Sequence, residues 1–282
     1  MREGQASRTA MMVALWRTMA DRGVTSVPGF SDPAARAMLT GSFWERALRW
    51  LEPVMADPGS EKAGKFRPWV DMLTLRVAFI DALLNDAAAP QVVILGAGMD
   101  TRVWRLPVLQ GARVFEVDHP ATQAHKLARA AEAGPPLVTP TYVTVDFGRD
   151  DLADRLKAAG FDPTVRTAWV WEGVIMYLDD AALRTTLRAV RALSAPGSTL
   201  IAHYHEPDPT GTGWTVRTVL LGWFGEPQIG MRPAAEMEAE VREAGFTLVQ
   251  DANLEAQAAR VGGVPSTDPR ARCSRILLAR AT

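Results

Sequence analysis

The hydrophobic pattern of the chain changes at Gln91, and this change limits the possible folds more than any other feature. Before Gln91, apolar residues recur at spacings of three and four, as they do on one face of an α-helix. After it come short apolar runs that end in acidic residues or glycine, each followed by a helical stretch. Strands that alternate with crossover helices form a parallel sheet covered by helices on both faces. The pattern therefore predicts an α/β protein with a helical N-terminal segment.

The same pattern predicts the elements and the division of the chain. Helices are expected at about residues 5–20, in a short stretch opened by Asp32-Pro33, and at residues 42–55 and 66–89. Strands are expected at residues 92–95, 114–117, 142–145, 168–171, 199–202, 246–249 and 276–279. We predict a helical cap over residues 1–90 and a doubly wound, mostly parallel seven-stranded core over residues 91–282, with an inserted lid around residues 204–232.

Composition excludes several classes of function. Hydrophobic residues make up 48% of the chain and charged residues 22%, as in an ordinary globular protein. The 31 Lys and Arg against 32 Asp and Glu give a net charge of −1, without the basic excess that binding to nucleic acid requires. The single cysteine, Cys273, has no partner for an intramolecular disulfide, and the four histidines show no zinc-ligand spacing. No apolar run is long enough to span a membrane. We expect a cytoplasmic protein that binds neither nucleic acid, nor membrane, nor a metal ion, and the oligomeric state stays open.

The first predicted strand runs into a glycine-rich turn, Gly96-Ala97-Gly98. Without side chains, these glycines let a ligand approach the backbone closely. A dinucleotide fingerprint would continue to a third glycine, but Thr101 stands at that position. Asp118 ends the next strand, where it could accept hydrogen bonds from both hydroxyls of a ribose or cap the following helix. Proteins that bind NAD and proteins that bind S-adenosylmethionine share this arrangement, and the missing glycine weighs against NAD.

Three motifs at strand ends carry a specific resemblance. They are VILGAGMDTR at residues 93–102, EVDHP at 116–120 and EGVIMYL at 172–178. In this order they resemble the leucine carboxyl methyltransferase family, which includes the tetracenomycin-type polyketide O-methyltransferases. The resemblance extends to Arg17, Ser31-Asp32-Pro33, Arg76 with Asp81, Gly225-Glu226-Pro227 and Gly245-Phe246, so it covers most of the chain.

The resemblance implies a Rossmann-like class I methyltransferase that uses S-adenosyl-L-methionine as its cofactor. In that family, Arg76 would hold the methionine carboxylate, Gly96 and Gly98 would contact the methionine part, and Asp118 would bind the ribose. The other cofactor-binding residues that it implies are Asp146 and Phe147 beside the adenine and Glu172 near the acceptor pocket. Many relatives carry Arg-Thr-Arg where this chain has Arg76-Val77-Ala78, so any role of the second arginine is absent.

The class of the methyl acceptor stays open between two alternatives. Since the family contains carboxyl methylation, we first expect a carboxylate on a small, natural-product-like molecule. A carboxyl group with a pKa of about 4 is already ionised at pH 7 and needs only an orienting group, for which Arg17 and Tyr177 are candidates. A phenol with a pKa of about 10 would need a base, for which His203 and His205 at the end of the fifth strand are candidates.

Two further hypotheses concern the function itself. The chain could be a non-catalytic protein that binds the cofactor, or a nicotinamide-dependent oxidoreductase, although no Tyr-x-x-x-Lys pair is evident. Trp214 and Trp223 could either line the acceptor pocket or pack in the core.

Overall fold

The computed structural model describes residues 7–39, 42–146, 149–208, 228–266 and 271–282. Within these ranges the strands are β1 (Gln91–Leu95), β2 (Arg113–Asp118), β3 (Thr141–Thr144), β4 (Thr167–Trp171), β5 (Thr199–His205), β6 (Phe246–Ala252) and β7 (Ser274–Ala281). The helices are α1 (Arg8–Asp21), α2 (Ser42–Ala56), α3 (Glu61–Ala87), α4 (Arg102–Arg105), α5 (Pro120–Ala130), α6 (Leu152–Ala158), α7 (Asp180–Ala192), α8 (Ala234–Glu243) and α9 (Leu254–Val261). Short 3-10 helices include Pro33–Leu39 and Ile175–Tyr177.

The seven described strands form one sheet in the order β3-β2-β1-β4-β5-β7-β6. Strands β1 to β5 are mutually parallel, and β7 runs antiparallel to both β5 and β6. The strand order reverses between β1 and β4, the point of a doubly wound sheet where a crevice opens at the carboxyl ends of the strands. The predicted doubly wound, mostly parallel fold with helices at its N-terminus is confirmed.

The central strands are buried on both faces because helices cover both sides of the sheet. Successive side chains of a strand point to opposite sides and so pack in different cores. In β1, Val93 and Leu95 pack in one core with residues of α6, α7 and α8, whereas Val92 and Ile94 pack in a second core with residues of α3 and α4. This two-sided burial explains why the strands read as continuous apolar runs in the sequence.

The N-terminal helices form a third core of their own. Apolar residues of α1, the 3-10 helix Pro33–Leu39, α2 and α3 pack together there, and Met99 from the loop after β1 joins them. Helix α1 begins after Ser7, whose Oγ accepts a hydrogen bond from the N–H of Ala10 at 3.1 Å. The helical segment therefore packs directly on the loop that follows β1.

Helix α3 begins earlier than the sequence pattern predicted. It starts at Glu61 rather than Phe66, because the Oγ of Ser60 accepts the N–H of Ala63 at 3.2 Å and caps it. Gly64 and Pro68 lower the intrinsic helix propensity of this stretch, and packing of the apolar face overrides that cost.

The predicted lid around residues 204–232 is described only at its two ends, since residues 209–227, with Trp214 and Trp223, lie outside the described residues. In the described part of the chain, no helix combines the length and the apolar character needed to cross a bilayer.

Candidate functional site

A cavity of about 470 Å³ opens at the carboxyl ends of β1, β2 and β4. The loop after β1, the ends of β2 and β3 and the loop after β4 form its floor and walls, and residues of α1 and α3 cover it. The position coincides with the reversal of strand order, where ligands bind in doubly wound sheets. We therefore take this cavity as the candidate active site.

The glycine-rich turn requires glycine for two independent reasons at Gly96. Its φ of +64° lies in the left-handed region, and a Cβ built on it would lie 2.3 Å from Cγ2 of Val174 in the loop after β4. Gly98 has a φ of +49°, and a Cβ there would lie 3.2 Å from Cβ of Ala10 in α1. The turn is thus packed tightly between the loop after β4 and α1, and it lines the cavity.

Asp118 lies at the end of β2 and lines the cavity. Its Oδ2 accepts a hydrogen bond from the N–H of Gly98, and its Oδ1 accepts one from the N–H of His119 at 2.6 Å. Burial raises the pKa of Asp118 above its usual value, and these two hydrogen bonds oppose the rise. The cap of α5 is His119, whose Nδ1 accepts from the N–H of Ala121 at 3.3 Å, so the structure assigns the capping role to His119 rather than to Asp118.

Arg76 of α3 reaches the cavity and pairs with Glu172 from the loop after β4. The Nε of Arg76 lies 2.7 Å from Oε1 of Glu172, and Nη2 of Arg102 lies 2.8 Å from Oε2. Burial alone would raise the pKa of Glu172, but the two arginines hold it below its usual value. Glu172 is therefore an ionised bridge between two buried guanidinium groups.

Arg102 connects this bridge to two more carboxylates. Its Nε lies 2.6 Å from Oδ1 of Asp81 in α3, and its Nη1 pairs with Asp100. Burial raises the pKa of Asp100, but Arg102, Lys126 and Arg17 together outweigh it and bring the pKa down to about 2. Arg105 adds a contact of 2.5 Å to Oδ2 of Asp81. Paired in this way, the buried charges fix the relative positions of α3, the loop after β1 and the loop after β4.

Arg17 ties α1 to the loop after β1. Its Nη1 donates to Oγ1 of Thr101 at 2.8 Å and to Oδ2 of Asp32 at 3.2 Å, and its Nη2 donates to the carbonyl oxygen of Met99. The side chain is 4% exposed and borders the cavity. Helix α1 is thus held over the site by a buried guanidinium group.

Comparison with known proteins decides the family. A family model described as leucine carboxyl methyltransferase matches residues 10–191, which is more than half of the 282-residue chain. This chain belongs to the leucine carboxyl methyltransferase family. The matched segment includes α1, α3 and the strand ends that surround the cavity.

Two relatives illustrate the family match. A protein from Mycobacterium sp. (strain KMS) is 35% identical over 201 residues, which is 71% of this chain and 66% of the relative. One from Mycolicibacterium paratuberculosis (strain ATCC BAA-968 / K-10) is 39% identical over 199 residues, which is 69% of this chain and 64% of the relative. Both names give S-adenosyl-L-methionine-dependent methyltransferase as a provisional activity. The matches span slightly less than two thirds of the length of these relatives.

Solved structures agree with the fold. A protein from Thermobifida fusca YX, provisionally named a methyltransferase, superposes on this chain with a TM-score of 0.56 at 19% identity. The match covers 100% of this chain and 97% of the other. A DUF574 family protein from Streptomyces avermitilis MA-4680 gives a TM-score of 0.57 at 16% identity, covering 96% and 97%. At these identities the likeness concerns the fold alone, and it supports the predicted Rossmann-like architecture.

The cavity of this leucine carboxyl methyltransferase family member brings together most of the residues predicted to bind the cofactor. They are Arg76, Gly96, Gly98, Asp118, Asp146 and Glu172. The backbone N–H of Asp146 donates to Oδ2 of Asp150 at 2.9 Å, which shapes the end of the β3 loop. Phe147 lies outside the described residues. The binding roles of all seven residues stay predictions.

The three predicted catalytic residues are placed differently. Tyr177, in the 3-10 helix Ile175–Tyr177, lines the cavity. His203 and His205 are 0% and 4% exposed and are not among the described residues that line it. Their rings pack edge to face with centroids 4.9 Å apart. Catalytic roles for these three residues stay predictions.

Several residues of the site were not predicted from the sequence. Helix α1 contributes cavity residues near its start, and His119 borders the cavity beside Asp118. Asp81, Asp100 and Arg102 occurred within the family motifs, yet no role was predicted for them. Their signal in the sequence is the presence of charged residues at positions that the apolar pattern marks as buried.

Proposed function

We propose that this protein is an S-adenosyl-L-methionine-dependent O-methyltransferase acting on a small molecule. The observation that carries the proposal is the cavity itself, which lies where the strand order of a doubly wound sheet reverses. It is lined by the glycine-rich turn after β1, by Asp118 at the end of β2 and by the buried Arg76. Family membership and the names of the relatives support the same cofactor.

The residues present fit that cofactor. Gly96 and Gly98 line the cavity without side chains, so a ligand can lie against the backbone of the turn. Asp118 offers carboxylate oxygens to ribose hydroxyls, which are hydrogen-bond donors. Arg76 is held through its Nε by Glu172, and its Nη atoms carry four further N–H groups suited to a carboxylate. When bound, S-adenosylmethionine supplies an activated methyl group on its sulfonium.

The remaining task of the protein is to place the acceptor oxygen and to exclude water. Val13, Val77 and Val174 give the cavity apolar surface, and helix α1 covers it. Tyr177 and Arg17 border the cavity and are the side chains that we propose orient the acceptor. We favour a carboxylate acceptor because it is ionised at pH 7 and no proton has to leave it during the reaction. Neither histidine of β5 is among the described residues at the cavity surface, which agrees with a reaction that needs no base.

A labelled methyl group tests the proposal. The protein is incubated with S-adenosylmethionine labelled in its methyl group and with matched panels of small carboxylic acids and phenols, and the product is then treated with alkali. A methyl ester releases its label as methanol in alkali, whereas a methyl ether keeps it. We expect alkali-labile product from the acids. Alkali-stable product from phenols would replace the carboxylate with a hydroxyl acceptor.

Binding controls separate the other outcomes. Asp118→Ala should reduce the yield of labelled product, whereas Asp86→Ala, which removes an exposed partner of Arg260, should not. Binding of S-adenosylhomocysteine without methyl transfer to any acceptor in either panel would favour a non-catalytic protein that binds the cofactor.

A further inference from the structure

His203 lies in β5 directly behind the wall of the cavity, and both ring nitrogens have partners. Its Nδ1 lies 3.3 Å from the backbone nitrogen of Gly173, in the loop after β4. Its Nε2 lies 3.1 Å from Oγ of Ser274, the first residue of the antiparallel strand β7. The imidazole is completely buried and Ser274 is 1% exposed. The ring thus links β7 to the loop after β4.

The partners of the ring determine which nitrogen carries the proton. The backbone N–H of Gly173 can only donate, so Nδ1 must accept and carries a lone pair. In a neutral imidazole the proton then lies on Nε2, which donates to the hydroxyl oxygen of Ser274. A general base needs its lone pair aimed at the acceptor that it deprotonates. The lone pair of His203 is aimed at a backbone N–H instead.

The residue that this lone pair holds is at the centre of the cavity wall. Glu172, Gly173 and Val174 all line the cavity. Glu172 bridges Arg76 and Arg102, and the side chain of Val174 packs against Gly96. Gly173 has a φ of +72°, a conformation that glycine adopts readily and that leaves this short segment dependent on contacts for its position. A hydrogen bond to its middle residue therefore restrains both neighbours.

We propose that His203 is a positioning residue for the cofactor site rather than a base. Its neutral ring holds the N–H of Gly173 and thereby keeps Glu172 in place against Arg76. The inference rests on the proposed cofactor site, because the orientation of Arg76 matters only if a ligand carboxylate binds there. It predicts a role that an amide side chain can replace, since Oδ1 of asparagine branches from Cγ as Nδ1 of histidine does.

Three variants test this role through binding of S-adenosylhomocysteine and single-turnover rates at saturating ligands. His203→Leu removes the acceptor of the Gly173 N–H, and we expect the Kd to rise on the order of tenfold, since the loop after β4 then loses a hydrogen bond that positions it. His203→Asn restores an acceptor, and both its Kd and its rate should stay within about threefold of the wild type. Thr199→Val is the matched control in the same strand, because the buried Oγ1 of Thr199 has no hydrogen-bond partner among the described residues. It should bind and turn over as the wild type does.

The outcomes separate this inference from the proposed function. Wild-type affinity in His203→Leu would overturn the positioning role alone. A His203→Asn variant that binds normally but turns over at least 100-fold more slowly would identify His203 as a base, since asparagine cannot accept the proton. Failure of the wild type to bind S-adenosylhomocysteine would overturn the proposed cofactor site and the inference with it. If His203→Leu does not fold, hydrogen exchange of the Gly173 amide in folded His203→Asn decides. We expect this amide to exchange as slowly as in the wild type. Tenfold faster exchange would overturn the positioning role.

Discussion

At the residue scale, the site depends on positions where a single atom decides the geometry. Gly96 is the clearest example, because conformation and space act together there. The left-handed backbone would cost another residue about 1–2 kcal/mol, and the contact with Val174 adds a steric clash on top of it. Separating these two effects requires a second glycine with a similar φ and no neighbour.

Gly111 provides that control for a first prediction. It has a φ of +86°, and no atom of the described ranges lies within 4 Å of a built Cβ. We expect Gly111→Ala to lose stability from backbone strain and Gly96→Ala to lose more, because the clash with Val174 adds to the strain there, measured by urea unfolding. Only Gly96→Ala should also lose at least tenfold in affinity for S-adenosylhomocysteine, measured by calorimetry. Equal affinities in the two variants would show that the contact between Gly96 and Val174 does not shape the ligand site.

A second prediction concerns Asp118. Its carboxylate is expected to accept charge-assisted hydrogen bonds from the ribose, each of which contributes about 1.5–3 kcal/mol. Asp118→Ala should therefore raise the Kd for S-adenosylhomocysteine roughly 10- to 150-fold for each bond lost. Calorimetry against Asp86→Ala, an exposed carboxylate in an ion pair with Arg260, gives the comparison. An unchanged Kd would show that Asp118 serves only the backbone N–H groups of Gly98 and His119.

The site residues that could be predicted from the sequence are those that directly follow a strand. Gly96, Gly98 and Asp118 follow predicted strands directly, and the carboxyl ends of parallel strands share one edge of the sheet. The contacts of Arg102 could not be predicted in this way. Its partners Asp81 and Glu172 lie 21 and 70 residues away in the chain, and no local rule specifies such pairings.

At the element scale, helix α3 connects the N-terminal helices to the sheet. It packs in the third core with α1 and in the second core with β1, and it carries Arg76 into the cavity. The sequence pattern predicted the helix but not its first turn, because capping by Ser60 and tertiary packing outweigh the unfavourable Gly64 and Pro68. Periodicity placed Arg76 on this helix, whereas its role at the cofactor was predicted from the family resemblance alone.

A third prediction tests the function of that helix through Arg76→Lys. Lysine keeps the positive charge but loses the planar fork that bonds Glu172 and a ligand carboxylate at once. We expect the Kd for S-adenosylhomocysteine to rise at least tenfold, while the surface control Arg260→Lys leaves it unchanged. A crystal structure of the complex in which the ligand carboxylate is bound away from Arg76 would refute the assignment.

A fourth prediction concerns the contact between β2 and α5. Glu116 and Lys126 form a fully buried pair there, and within the part of the chain that the structure describes Oε1 of Glu116 has no hydrogen-bond partner. Burial raises the pKa of Glu116 from 4.5 to about 7, although Lys126 opposes the rise. A raised pKa means that the folded state holds this proton more tightly than the unfolded state. The stabilising contribution is therefore complete below about pH 4.5 and is lost as the pH rises through about 7.

Urea unfolding at several pH values measures this effect. Relative to Glu116→Gln, which does not titrate, the wild type should lose free energy of unfolding between pH 5 and pH 8. The surface variant Glu61→Gln, which removes an exposed partner of Lys65, should follow the wild type. Parallel pH dependence of the wild type and Glu116→Gln would show that Glu116 keeps an ordinary pKa in the folded protein.

At the scale of the whole molecule, the sequence was sufficient for the fold because local signals and topology agree. Alternation of strands and helices leaves few arrangements other than a doubly wound sheet, since crossovers between parallel strands are right-handed. The two antiparallel contacts of β7 could not be predicted, because a final strand can join a sheet edge in either direction. Helix α1 belongs to the predicted helical cap, but the buried contacts that hold it over the cavity could not be predicted, because Arg17 pairs with residues 15 and 84 positions away.

The function proposed for this protein requires that the cavity between the glycine-rich turn, Asp118 and Arg76 binds S-adenosylmethionine. The most direct test is titration calorimetry of the wild-type protein with S-adenosylhomocysteine and, separately, with NAD. We predict that S-adenosylhomocysteine binds with one molecule per chain and that NAD at millimolar concentration gives no heat of binding. Binding of NAD without binding of S-adenosylhomocysteine would contradict the claim and assign the cavity to a dinucleotide.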